Sequence, residues 1–115
     1  MKYLFDNPTK NKYLKKYNKL VKKYEKNIPG EGLSFHHIMP RSKFPELKDD
    51  PNNHLYLPVL KHIKMHYLLW KYDSSYCAAF WFCYVWAHKN HHFNISKKEF
   101  NKLKNDMKIY RKTHK

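Results

Sequence analysis

Apolar positions at helical spacing open the chain. Tyr13, Leu14, Tyr17, Leu20, Val21 and Tyr24 form one stripe, with Lys10, Lys12, Lys15, Lys16, Lys19, Lys22, Lys23 and Lys26 around it. This pattern predicts an amphipathic helix over 9–27, with Asn7-Pro8 as its start signal. The stretch IPGEG at 28–32 holds both glycines and breaks the helix. LSFHHI at 33–38 then reads as a short strand. A connection over 39–53 follows, with Pro40, Pro45, Pro51 and the turn-forming DDPNN. HLYLP at 54–58 reads as a second strand with Leu55 and Leu57 on one face. Pro58 ends it, and VLKHIKMHYLLWKY at 59–72 has helical periodicity.

Two more helices are predicted beyond this unit. The segment 75–89 is apolar almost all round, through Cys77, Ala78, Phe80, Trp81, Tyr84 and Val85. Such a helix marks the centre of a core or an interface with a second copy of the chain, which leaves a homodimer open. Ser96 and Glu99 form a capping box that opens the last helix, whose stripe is Phe100, Leu103, Met107 and Tyr110. At 115 residues the chain is expected to be a single α+β domain, mostly helical. Its parts are a basic N-terminal helix (1–30), a hairpin and helix (33–70), and the C-terminal helices (73–115).

Charge narrows the choice of partner. Lys and Arg number 24 against 9 acidic residues, giving +15 with neutral His and a pI near 9.8. Nucleic acid is the leading partner for such a surface, because each phosphate contact releases condensed counterions. An acidic membrane surface is the competitor. The lysines around the first stripe serve equally as a solvated outer face or as phosphate contacts. Cys77 and Cys83 match neither a redox nor a zinc-knuckle spacing and read as buried free thiols. The longest apolar run, YCAAFWFCYVWA, is too short to cross a bilayer, and MKYLFDNPTK lacks a signal-peptide core. The expectation is a cytoplasmic protein without a membrane partner.

Candidate chemistry lies in FHHIMPRS (35–42) and in what stands further along. His62 and His66 are four apart on the predicted helix, so both imidazoles share a face and could hold one metal ion. A histidine on the first strand can reach the helix and supply a third nitrogen. Three neutral imidazoles with open positions make a Lewis-acid site. His54 reads as an ordinary strand residue. His88, His91 and His92 read as helix-end and surface charge. Trp70, Trp81, Trp86 and Tyr84 read as core or interface, and nothing singles them out for stacking on bases.

Taken together, HHIMPRS, DDPNN and LPVLKHIKMH resemble the HNH endonucleases, whose core is the ββα-metal or His-Me finger. The likeness is greatest to small HNH proteins of phage and mobile-intron origin, covers 33–70 well, and extends loosely to ISKKEFNKLKNDM. It implies that His36, His62 and His66 hold one divalent ion, whether Zn, Ni, Mg or Mn. It implies His37 as general base, Asn53 as the residue that braces the loop and orients His37 by a hydrogen bond, and Arg41 on the scissile phosphate or its neighbour. An imidazole can accept a proton from water at neutral pH, and the base must be the metal-free histidine.

The implied activity is hydrolysis of DNA, most readily double-stranded, to 5′-phosphate and 3′-hydroxyl ends by a homing-type or nicking enzyme. Arg41, Lys43, Lys61, Lys64, Lys15, Lys19 and Lys22 are the residues expected on nucleic acid. Two other readings stand beside it: a non-catalytic nucleic-acid-binding module with a structural metal, and a low-specificity toxin or interference nuclease. The chain departs from the family where Ser34 and Phe35 replace a charged residue before the doublet, which leaves open what supports the ligands. It departs again where KFPEL replaces a glycine-rich loop.

Overall fold

The computed structural model describes residues 2–5, 11–87 and 93–114. Helix α1 spans Lys12–Tyr24 and is capped by Asn11, whose Oδ1 accepts from the Tyr13 and Leu14 N–H groups at 2.9 and 3.3 Å. Those donors lack intrahelical partners, so the cap fixes where the helix begins. The start signal expected at Asn7-Pro8 lies outside the described residues. Leu14, Tyr17, Asn18 and Val21 are buried, while Lys12, Lys15, Lys16, Lys19, Lys22 and Lys23 stay exposed.

Gly32, at a φ of 79°, turns the chain into strand β1 (Leu33–His37). A residue with a Cβ is strained in that left-handed region. β1 pairs antiparallel with β2 (His54–Pro58), setting Ser34 opposite Leu57, Phe35 opposite Tyr56, His36 opposite Leu55 and His37 opposite His54. The two-residue period sorts these pairs onto two faces. Leu55, Leu57 and His36 are buried on the inner face, and Phe35, His37, His54 and Tyr56 occupy the outer one. Ile38, expected within the strand, lies just past it, but its N–H still reaches the Asn53 carbonyl at 2.9 Å. The proline-rich connection forms 3-10 turns at Pro45–Leu47 and Pro51–Asn53, each with Pro in its first turn, where no N–H is needed.

Helix α2 (Val59–Tyr72) follows β2 directly and divides the core. Its Met65, Leu68 and Leu69 join Leu14, Tyr17, Val21, Ile38, Leu55 and Leu57 on the side of α1 and the hairpin. Its Ile63 and Trp70 join Cys77, Phe80, Cys83, Leu103 and Met107 on the other side. The segment expected to be one helix over 75–89 is instead a 3-10 turn (Ser74–Tyr76), helix α3 (Cys77–Trp81) and a π turn (Phe82–Ala87). Positions 88 and 89 lie outside the described residues. The centre of the core is α2, because the segment of α3 and the π turn packs along one side only: Phe82 and Trp86 in the π turn are 62% and 65% exposed. The thiols of Cys77 and Cys83 are buried, and burial pushes that of Cys83 up to about 12, so both act as small apolar side chains.

Helix α4 (Lys97–Thr113) starts at the expected capping box, with the Glu99 N–H donating to Ser96 Oγ at 3.0 Å and the Ser96 N–H to the Glu99 carboxylate at 3.4 Å. The same carboxylate accepts from the Tyr67 hydroxyl at 2.7 Å and pairs with Lys71 at 3.1 Å, which fastens α4 to α2. Burial opposes its charge, but Tyr67, Lys71 and the Ser96 N–H outweigh burial and hold the carboxyl below its ordinary value.

Two outcomes follow for stability. Phe80 is fully buried and stacks on Trp70 and Tyr84, so Phe80→Ala should cost about 3–5 kcal/mol, whereas exposed Phe82→Ala should stay within about 0.5 kcal/mol in urea unfolding. The unfolded chain takes up the Glu99 proton before the folded one. The stability from Glu99 is therefore present above pH 4.5 and lost as pH falls below it. In melting curves taken against pH, Glu99→Gln should flatten this acid limb.

Candidate metal centre

β1 and α2 bring three histidines together. His36 reaches inward from β1 to His62 and His66, one turn apart on α2, with ring centroids at 5.2, 4.8 and 5.0 Å for the three pairs. One ring nitrogen from each residue lies within 4.8 Å of the other two. His36 is 1% exposed, and burial first, then His66, His62 and His37, keeps its pKa well below the usual imidazole value. A neutral imidazole is the form that coordinates a metal.

Tyr17 decides which nitrogen of His36 faces the cluster. Its hydroxyl lies 2.7 Å from His36 Nε2 and 2.6 Å from the Ile38 carbonyl. A carbonyl can only accept, so the single phenolic proton goes to Ile38 and the oxygen accepts from His36 Nε2–H. Burial raises the Tyr17 pKa well above its ordinary value, so this proton stays in place. His36 Nδ1 therefore carries the lone pair, and this atom is buried without a hydrogen bond. A buried nitrogen lone pair of this kind, beside two further imidazoles, fits a metal ion. Among the described residues no carboxylate joins the cluster, so an ion held by these three imidazoles keeps its full charge toward an anionic ligand.

Ser34 supports the cluster from the same strand face. Its Oγ lies 2.8 Å from His62 Nδ1, so it can accept that N–H and fix the orientation of the ring. This serine stands where the resembled family carries a charged residue. The strand period would have found it, since Ser34 lies two residues before His36. Tyr17 had no such signal: it looks like one more member of the apolar stripe of α1.

His37 points to the opposite face of β1 from His36, yet both line one cleft with Arg41, Ser42, His62, His66 and Ala79. The cleft opens at the end of β1, where the chain turns through Pro40 and Arg41. His37 Nε2 donates to the Lys48 carbonyl at 3.1 Å, leaving its lone pair on Nδ1. Burial lowers the His37 pKa, with His54 and Arg41 in the same direction and the Lys48 carbonyl and Asp49 opposing.

Other expected residues are placed differently. Asn53 braces the loop as expected but does not orient His37. Its buried Oδ1 accepts from the Met39 N–H at 2.7 Å, and its Nδ2 donates to the Met39 and Leu47 carbonyls at 3.0 and 3.3 Å. Both amide protons are committed to backbone, and the Lys48 carbonyl holds His37 instead. That carbonyl also accepts from His54 Nε2 at 2.9 Å. Lys43 is occupied by Ser75, by Asp73 at 3.4 Å and by the Tyr76 ring at 4.1 Å, so it pins the loop to the end of α2 rather than offering a cation to phosphate.

Lys19, Lys61 and Lys64 line a separate groove with Lys16, Leu20 and Leu68, between α1 and α2. Lys61 and Lys64 stand on a different face of α2 from His62 and His66, so these cations do not converge on the histidine cleft. Lys15 and Lys22 are exposed on α1. His88, His91 and His92 lie outside the described residues. No helix among the described residues is long and apolar enough to cross a membrane. Comparison of the chain with protein-family models, with curated proteins and with solved structures returns no match.

Removing the Tyr17 hydroxyl tests the proton assignment. Tyr17→Phe keeps the ring but strands His36 Nε2–H, and should weaken zinc binding about 10- to 100-fold in competition with a chromophoric chelator, with the fold retained by circular dichroism.

Proposed function

We propose that this protein is a metal-dependent endonuclease built on a ββα-metal finger, hydrolysing DNA to 5′-phosphate and 3′-hydroxyl ends. The observation that carries the reading is one cleft holding a three-histidine cluster, a fourth imidazole outside that cluster, and Arg41. The order of hairpin and helix, with ligands from β1 and α2, is what the resemblance to HNH endonucleases implies.

His36, His62 and His66 would hold the ion. A bound divalent ion supplies Lewis-acid stabilisation of the charge that grows on phosphate oxygens during hydrolysis. His37 acts as general base through Nδ1, which takes the proton from the attacking water. The Lys48 carbonyl fixes the ring by accepting Nε2–H, so the basic nitrogen is set before substrate arrives. Arg41, at the cleft and exposed, holds a phosphate by charge-assisted hydrogen bonds. Asn53 acts at one remove: by tying Met39 to Leu47 it fixes the two ends of the loop that carries Arg41 and leads to Lys48.

A purely structural metal requires ligands and no base. The fourth imidazole beside the cluster, neutral at pH 7 because burial lowers its pKa, favours catalysis over a non-catalytic finger. The groove of Lys16, Lys19, Lys61 and Lys64 supplies sequence-independent attraction for the phosphate backbone away from the reacting centre.

His37→Ala should abolish nicking of supercoiled plasmid in the presence of Mg²⁺, Mn²⁺, Zn²⁺ or Ni²⁺ while metal content by atomic absorption stays at the wild-type level. Cleavage at the wild-type rate by this variant would remove His37 as the base.

A further inference from the structure

Apart from His37, the outer face of the hairpin plays no part in the proposed hydrolysis, yet it is built from aromatic rings. Phe35 and Tyr56 form one cross-strand pair there and His37 and His54 the next. Phe35 stands against all three partners, with ring centroids at 4.7 Å to His37, 4.9 Å to His54 and 5.5 Å to Tyr56. It remains 41% exposed. The two imidazoles are held in place by the Lys48 carbonyl, which accepts from both, and Asn27 Nδ2 ties down the strand by donating to the backbone carbonyl of Tyr56 at 2.9 Å. A fixed ring loses little entropy when a ligand covers it.

This platform runs into the cleft, since Phe35 lines it together with the histidine cluster, His37 and Arg41. A neighbouring cavity shares His37, Arg41, His62 and His66 with the cleft, and Phe82, 62% exposed, lines it. Exposed rings thus flank the place where the proposed reaction puts a phosphate. The ligand that fits carries a flat π-face a few bonds from an anionic phosphate, which describes a nucleotide. In a duplex the faces of the bases are already stacked on their neighbours, so only an unpaired base can lie on Phe35. A second copy of this chain is disfavoured as the occupant by the repulsion between two surfaces of +15 each.

We propose that the outer face of the hairpin, centred on Phe35, stacks unpaired bases of a single-stranded nucleic acid and leads the adjoining phosphate to Arg41 and the histidine cluster. The proposal rests on the nucleic-acid reading of the same cleft and deepens it: the preferred substrate carries unpaired nucleotides beside the scissile bond. Cross-strand packing alone would also place two aromatic rings opposite each other. The two accounts separate once bases are removed from the ligand and phosphates are kept.

The test is equilibrium binding of the full chain without added metal, by fluorescence anisotropy. The probes are twelve-residue oligothymidylate, oligouridylate, a chain of abasic sugars of the same length, and a duplex. Oligothymidylate or oligouridylate should bind about tenfold tighter than the abasic chain, and the difference between them separates DNA from RNA. Phe35→Leu should weaken the base-bearing strand about tenfold and leave the abasic chain unchanged. Equal loss on both, or loss on neither, with an unaltered circular dichroism spectrum overturns the platform.

Should Phe35→Leu fail to fold, Phe35→Trp carries the test. A stacked base quenches the added indole emission and the abasic chain does not; quenching by neither overturns the proposal. Base-dependent binding without cleavage of either plasmid or single-stranded oligonucleotide once metal is added supports the platform and removes the hydrolytic reading. Cleavage of duplex together with base-independent binding removes the platform alone.

Discussion

The Tyr17 hydroxyl has one proton and two neighbours within hydrogen-bond distance, His36 Nε2 and the Ile38 carbonyl. Because the carbonyl can only accept, that proton has one destination, and the imidazole must donate in return. The consequence runs in two directions. Structurally, α1 is fastened to β1 and to the first residue beyond it, inside the core that Leu14 and Val21 share with Leu55 and Leu57. Chemically, the lone pair of His36 is turned toward His62 and His66. A fully buried histidine would otherwise be a cost without return, since its unpaired nitrogen is cut off from water.

Helix α2 carries the other half of this arrangement. Its apolar residues fall on two faces, Met65, Leu68 and Leu69 toward α1 and the hairpin, Ile63 and Trp70 toward α3 and α4. His62 and His66 occupy the strip between those faces, where the helix meets β1 and the cleft. Both flanks of α2 are fixed by packing, so two of the three imidazoles sit on an element with little freedom to rotate. That rigidity is what a metal site needs, because a ligand displaced by an ångström no longer coordinates. Glu99 adds to it by joining Tyr67 and Lys71 of α2 to the first turn of α4.

The hairpin uses its two faces for different chemistry. The inward row Ser34, His36, Leu55 and Leu57 serves the cluster and the core, while the outward row Phe35, His37, His54 and Tyr56 meets solvent. An adjacent pair of histidines is therefore divided between a buried, neutral position and a half-buried one. They share a cleft only because the strand ends at His37 and the chain turns at once through Pro40 to Arg41. The loop needed for that turn is held by Asn53, whose amide bonds backbone at Met39 and Leu47.

Periodicity in the sequence determined the helix over 59–72, both strands of the hairpin and the capped start of the last helix, because each rests on interactions within a few residues. The i, i+4 spacing of His62 and His66 is equally local. Other features had no local signal. The hydroxyl that orients His36 comes from a helix 19 residues earlier and reads in sequence as an ordinary core tyrosine. Lys43 reads as a phosphate-binding cation until Asp73, Ser75 and Tyr76 are seen around it. The apolar run over 75–89 reads as a core helix, although only packing decides which of its rings are covered. The sequence by itself determined which residues could act as ligands and bases and which elements carry them. Tertiary structure alone decided which nitrogen of His36 and of His37 carries the lone pair, which lysines are engaged elsewhere, and which aromatic rings face the cleft. Those properties depend on contacts between residues distant along the chain, and a local pattern carries no information about them.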